Sequence, residues 1–200
     1  MCITERARAR GVTLLELIVF IIVVSVAVVG VLTALDLSNR SSTDPMIQKQ
    51  ALAIAEALLE EVQLQPFTYC DPDDANAATA LNAAGCTGGA NGANDESKLP
   101  LGPETGETRT GGVTPYDNVS DYNLFCMGPT CIPASSVSDI NGSAIGGLGA
   151  YSANVAVAQL ALGGIPAAES LLVTVTVTGP SSITVKLDGY RVRYAPNALP

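Results

Sequence analysis

The chain has 200 residues, a formal net charge of −9, and 48% hydrophobic against 14% charged residues. That acidity argues against nucleic-acid binding, because phosphate contacts need clustered Lys and Arg. The absence of His removes His-based catalysis and a His-ligated catalytic zinc. No nucleophile–base arrangement or phosphate-binding glycine loop takes its place, so the sequence predicts a protein that is not an enzyme and holds no cofactor.

The composition is divided along the chain. Residues 1–11 carry Arg6, Arg8 and Arg10 and end at Gly11. An almost wholly apolar run follows, from Leu14 to Leu35. Residues 17–35 as a helix measure about 28 Å, close to the hydrocarbon thickness of a bilayer. Ser25 and Gly30 are tolerable inside such a span. The arginines ahead of it place the N-terminus in the cytoplasm and the rest of the chain outside. A secretory signal has a shorter apolar region, and 200 residues offer little core to surround a soluble helix that is apolar on every face.

Glu16 is the residue a plain anchor leaves unexplained. A carboxylate deep in a bilayer costs on the order of 2–3 kcal/mol and calls for a counter-charge. Arg10 is one candidate in the uncut chain. Cleavage after Gly11 would create another, the amine of Val12 on a neighbouring subunit, whose unperturbed pKa is about 8.

The segment Gly11-Val12-Thr13-Leu14-Leu15-Glu16-Leu17 resembles the class III leader and helix start of type IV pilins and type II secretion pseudopilins. The resemblance implies a prepilin peptidase that cuts between Gly11 and Val12 and methylates the Val12 amine. It also implies a filament-docking role for Glu16. Val12 departs from the family's usual Phe at the first mature position. The expected fold is α+β and pilin-like: a long N-terminal helix, transmembrane in its first half, packed on a C-terminal antiparallel sheet.

Beyond the span, Ser38 to Thr43 is polar and predicts an interruption, so that 12–37 and 38–65 form separate helices. Asp44-Pro45 then restarts the helix, with Asp44 as N-cap and Pro45 at its first position. Ile47, Ala51, Ile54, Ala55, Leu58 and Val62 share one face of this amphipathic segment, and Pro66 ends it.

Residues 66–150 are loop-rich, and 85–112 read as a flexible loop. Cys70, Cys86, Cys126 and Cys131 all follow the span, which points to an oxidising compartment and two disulfides. Four cysteines permit three pairings. Proximity favours Cys70–Cys86 and Cys126–Cys131, with a four-thiolate zinc site or free thiols as alternatives. Asp71, Asp73 and Asp74 match no EF-hand spacing and read as a solvated turn, so no metal site is predicted. The segment from Tyr116 to Tyr122 reads as a capped turn whose tyrosines pack on the sheet.

From 151 to 200 the pattern is β. Val155 and Val157 alternate, then Val173, Val175 and Val177 with threonines between them. Gly179-Pro180-Ser181-Ser182 is a turn. The apolar phase shifts between Ile183, Val185, Leu187 and Tyr190, Val192, Tyr194. Either a two-residue hairpin at Asp188-Gly189 or a bulge would account for that shift.

Several stretches are similar to MSHA-type minor pilins: 42–48, the Ala- and Glu-rich helix through 58–62, Tyr-Asp-Asn-Val-Ser-Asp-Tyr at 116–122, and Gly-Tyr-Arg-Val-Arg-Tyr at 189–194. This implies a low-abundance subunit that helps prime or cap a pilus. Its partners would be the prepilin peptidase, other pilin or pseudopilin subunits and inner-membrane lipid. It would sit as a single-pass protein in a bacterial inner membrane with its domain in the periplasm, then in the filament. A minor pseudopilin and a pilus-tip adhesin using the 66–150 region are the competing readings.

Overall fold

The computed structural model describes residues 13–112 and 114–197. Gly11 and Val12, and with them the expected cleavage and methylation site, lie outside the described residues. The order of elements is α1 (Leu14–Leu64), β1 (Cys126–Met127), β2 (Ser152–Gln159), β3 (Ser170–Thr178) and β4 (Thr184–Val192), with short 3-10 turns between them. The layout is α+β. Contacts divide the chain into two compact units, Met1–Met46 and Ile47–Pro200, and α1 supplies residues to both.

The expected break after the apolar span does not occur. The backbone is helical through 38–44, and Pro45 lies inside α1 rather than at a helix start. Ser and Thr each cost only about 0.5 kcal/mol relative to Ala in a helix. That is too little to stop a helix already propagating from both sides. Pro45 removes one backbone hydrogen bond without ending the element.

In the second unit the helix buries Ala51, Ile54, Ala55, Leu58 and Val62, the face that the 3.6-residue period marks out. Ala51 and Ala55 are fully buried, and their small side chains let the helix lie close to the sheet. Opposite them stand Ala153, Val155 and Val157 of β2 and Leu171, Val173, Val175 and Val177 of β3. The threonines of β3 fall on the other face, as a two-residue period requires.

The sheet is antiparallel throughout, in the order β1-β2-β3-β4. β4 is one uninterrupted strand, paired without a skip from Ser170↔Val192 to Thr178↔Thr184. Asp188-Gly189 is therefore neither a hairpin nor a bulge. The turn that closes β3 onto β4 is at Gly179-Pro180-Ser181-Ser182, where the Gly179 N–H donates to the Ile183 carbonyl at 2.8 Å. A two-residue turn does occur at Gly163-Gly164. There φ is 55° and 94°, and Leu162 and Ile165 exchange backbone hydrogen bonds. Positive φ at both central positions is what such a turn demands, and glycine supplies it.

The apolar phase shift in β4 has a different cause. Val185, Leu187 and Gly189 face the helix, so Tyr190 lies on the outer face, 49% exposed. Gly189 occupies an inward position because α1 crosses directly above it. A Cβ there would come within 2.2 Å of Gln63 Nε2 and 3.0 Å of Leu59 Cδ1. The next inward residue, Arg191, donates to the Gln65 carbonyl at 2.9 Å, and the Arg193 guanidinium lies over the Phe67 ring at 3.9 Å. The closing strand thus holds the end of α1 and the chain that leaves it.

Candidate functional site

Two parts of the chain are candidates for a functional site. The first is the head of α1. Leu14–Asp36 is long and apolar enough to cross a membrane, and its side chains are exposed along its whole length. Glu16 falls in the first turn, and its N–H donates to the Thr13 hydroxyl oxygen at 3.3 Å. A carboxylate at a helix N-terminus is favoured by the helix dipole. That interaction does not supply a counter-ion. Ser25 and Thr33 inside the span donate to carbonyls of the preceding turn, Ile21 at 2.7 Å and Val29 at 2.5 Å. Their hydroxyls are thereby satisfied without leaving the helix.

The second part lies between α1 and β1, where the sequence is least patterned. Disulfides join Cys70 to Cys86 and Cys126 to Cys131. Beside the first of them, 69–71 and 94–96 run antiparallel: the Asp71 N–H donates to the Asn94 carbonyl at 3.1 Å, and the Glu96 N–H to the Tyr69 carbonyl at 3.0 Å. The 85–112 stretch, read from sequence as a flexible loop, contributes buried Cys86, Asp95, Glu96, Leu101 and Arg109. Asp71 and Asp74 are likewise buried, which corrects the expectation of a solvated turn. Asp74 accepts from the Asn76 N–H and from both the N–H and hydroxyl of Thr87, tying its turn to the disulfide loop.

The Tyr116–Tyr122 segment folds as a capped turn. Asp121 Oδ2 accepts the N–H groups of Asn118 at 2.7 Å and Asp117 at 3.1 Å. Asn118 Nδ2 donates to the Thr68 hydroxyl at 2.6 Å, and Tyr116, Tyr122 and Phe125 meet edge to face. The 69–71/94–96 pair and the 104–107 turn line one acidic cleft of about 440 Å³, and the fully buried Asp121 of the 116–122 turn lies against Glu96 and Glu104 in its wall. Glu96, Glu104 and Asp121 bring one carboxylate oxygen each within 4.8 Å of the others, as do Glu107, Asp117 and Asp121, and Asp71, Asp73 and Asp117. Lys98 is the basic residue among those lining the cleft.

Crowded like charges with little water resist ionisation. Burial, then the Asp121 and Glu104 charges, raises the Glu96 carboxyl well above its usual range. Glu107 is pushed up to about 9 by burial, then by Asp121 and its contact with Glu104. Asp117 rises to about 7, through burial and then the Asp71, Asp73 and Glu104 charges. Asp121 also rises to about 7, chiefly by burial, against the pull of the N–H donors that cap it.

These acids hold protons more tightly folded than unfolded. The folded chain therefore binds the extra protons, and stability falls as pH rises through the interval between the two pKa values. In the presence of chelator, the unfolding temperature is expected to decline from about pH 5 to about pH 9 and then level, as Asp117, Asp121 and finally Glu107 ionise. A thermal-melt series over that range checks this; a temperature that climbs throughout would refute it.

Sequence reasoning favoured the two cysteine pairs that the structure shows, and it missed the cleft. The acids come from positions 71 to 121 with no repeating interval, so no spacing motif announces them. Comparison with protein-family models, curated proteins and solved structures gave no match for this chain.

Proposed function

We propose that this chain is a prepilin-type structural subunit, a minor pilin of an MSHA-like type IV filament. The observation that carries this reading is a single apolar span, Leu14–Asp36, with a carboxylate in its first turn, on a helix whose later residues pack against a four-stranded antiparallel sheet. A plain membrane anchor gives no reason for Glu16, whereas a filament subunit does.

In this reading the prepilin peptidase removes residues 1–11 and methylates the Val12 amine. The mature chain waits in the inner membrane with its disulfide-bonded domain in the periplasm. On assembly the exposed apolar span exchanges lipid for the spans of neighbouring subunits, where van der Waals packing is the main attraction. Glu16 meets the charged Val12 amine of an adjacent subunit, a contact strengthened by low dielectric. The absence of His and of a nucleophile–base pair supports a structural rather than catalytic role.

The test is the mass and N-terminal sequence of the membrane-extracted protein. An N-methylated Val12 start is expected. Retention of residues 1–11 in cells that process other prepilins would reject the reading. Glu16→Ala should insert normally but enter filaments at least about tenfold less. That factor corresponds to 1.4 kcal/mol, within the roughly 2–3 kcal/mol at stake for an uncompensated carboxylate. Wild-type incorporation of the variant would remove the docking role. Cross-links to secretion-system subunits instead of pilus subunits would move the chain to the pseudopilin branch.

A further inference from the structure

We propose that the acidic cleft between α1 and β1 is a calcium-binding site, with Glu96, Glu104 and Asp121 at its centre and Glu107 and Asp117 beside them. The argument starts from how each carboxylate is held. In the buried members one oxygen is anchored by the protein and the other is bare. Glu96 is 3% exposed; its Oε2 accepts the Ser120 hydroxyl, while Oε1 has no partner. Asp121 is fully buried; its Oδ2 accepts two backbone N–H groups, while Oδ1 has no partner. Glu104 Oε2 and Asp117 Oδ1 are also buried without a partner.

Buried polar atoms are rarely left unpaired, and an orphaned carboxylate oxygen is among the costliest to leave so. Here the orphans belong to side chains that come together: Glu96, Glu104 and Asp121 can each present an oxygen within 4.8 Å of the others. Oxygens in adjacent positions around one cation at 2.3–2.6 Å fall within that separation of each other. Asp74, a buried acid outside the cleft, behaves differently: both its oxygens accept, from the Asn76 N–H and from the N–H and hydroxyl of Thr87. Asp95, in the cleft wall, is likewise satisfied through both oxygens, by Asn91 and Ser97. Among the described residues the buried carboxylate oxygens without a partner belong to Glu96, Glu104, Asp117 and Asp121.

The donor set selects the ion. It is all oxygen. The sulfurs of Cys70 and Cys86, which lie near Asp74, are committed to a disulfide, so soft and borderline metals have no advantage. Several carboxylates of unequal reach, on loops rather than one rigid element, suit the irregular six- to eightfold shell of Ca²⁺ better than the strict octahedron of Mg²⁺. Asp71 and the exposed Asp73 also line the cleft, adding attraction for an approaching cation.

The test uses the full-length chain in detergent, stripped with chelator. Tb³⁺ serves as the direct probe, because the chain has no Trp and tyrosine alone can sensitise it. Tyr116 feels the charges of both Asp121 and Glu107, so tyrosine-excited Tb³⁺ emission is expected, and Ca²⁺ should displace it. Tyr116→Phe should reduce the emission while Ca²⁺ still raises the unfolding temperature. At Ca²⁺ a hundredfold above Kd, that rise should be about 5–10 °C. Glu104→Gln should lose most of the rise and melt no lower than wild type in chelator, since it removes repulsion along with a ligand. No Tb³⁺ emission together with no Ca²⁺-dependent rise would overturn the site. Equal responses to Ca²⁺ and Mg²⁺ would overturn the choice of ion. The readouts do not depend on filament assembly, so this inference and the proposed function can fail separately.

Discussion

Arg109→Ala should lower the stability of the domain by about 3–5 kcal/mol, the usual result of leaving one member of a buried ion pair alone. Arg109 grips Glu61 of α1 with two parallel bonds, Nε to Oε1 at 2.6 Å and Nη2 to Oε2 at 2.7 Å. The side chains are 7% and 17% exposed. Nη1 continues to the carbonyls of Ser138 at 3.3 Å and Asp139 at 3.0 Å, and the Tyr122 hydroxyl donates to Glu61 Oε1 at 2.8 Å. One guanidinium thus joins the helix to two otherwise separate loops. Removing it strands a carboxylate under Tyr122 and frees two carbonyls. The pairing itself makes a smaller net contribution, because both charges were desolvated to form it. Double replacement, Arg109→Leu with Glu61→Leu, should therefore recover much of the loss. Urea denaturation of the two single variants and the double variant provides the measurement. A double variant as unstable as the sum of the singles would mean that the residues act independently.

The second large effect is expected from the Cys70–Cys86 disulfide. Its partners are 16 residues apart, whereas Cys126 and Cys131 are 5 apart. On the chain-entropy account the longer loop contributes about 3 kcal/mol and the shorter about 2 kcal/mol. Cys70→Ser with Cys86→Ser should cost more than the difference in loop entropy alone. Cys70 and Cys86 form the centre of a small separate core with Ala77 and Ala80. The bond also braces the paired backbone of 69–71 and 94–96 that sets Asp71 and Glu96 in the acidic cleft. The variant should therefore lose stability and respond less to Ca²⁺, whereas Cys126→Ser with Cys131→Ser should lose stability alone. Comparing melting temperatures of the two double variants with and without Ca²⁺ separates these outcomes. Equal Ca²⁺ responses would detach the disulfide from the cleft.

Much of the helix–sheet layer was legible from residue order. The apolar run, the buried face through Ala51, Leu58 and Val62, and the valine–threonine alternation of β3 are short-range patterns. Each matches a period that one element imposes on its own. Cysteine separation was equally local, since short loops are the easiest to close. The misreadings occur where a local sign competes with a neighbour distant in sequence. Polar residues and Pro45 signalled a break that the helix on either side overrode. At Asp188-Gly189 a turn-forming pair lies within a strand, because α1 passes over Gly189 and leaves no room for a larger side chain. Gly163 and Gly164, which do turn the chain, lie in the connection from β2 to β3.

What the order of residues determined by itself was the exposed apolar span with its carboxylate, the helix face and the inward valines, because hydropathy and period are properties of consecutive positions. Only the tertiary structure decided which acids meet. Glu96, Glu104 and Asp121 come from three turns, and the disulfide, the Thr68–Asn118 bond and the backbone pairing beside Cys70 bring those turns together. Charge repulsion at such a meeting point depends on distance through space and on exclusion of water. Neither quantity has a value until the chain has folded.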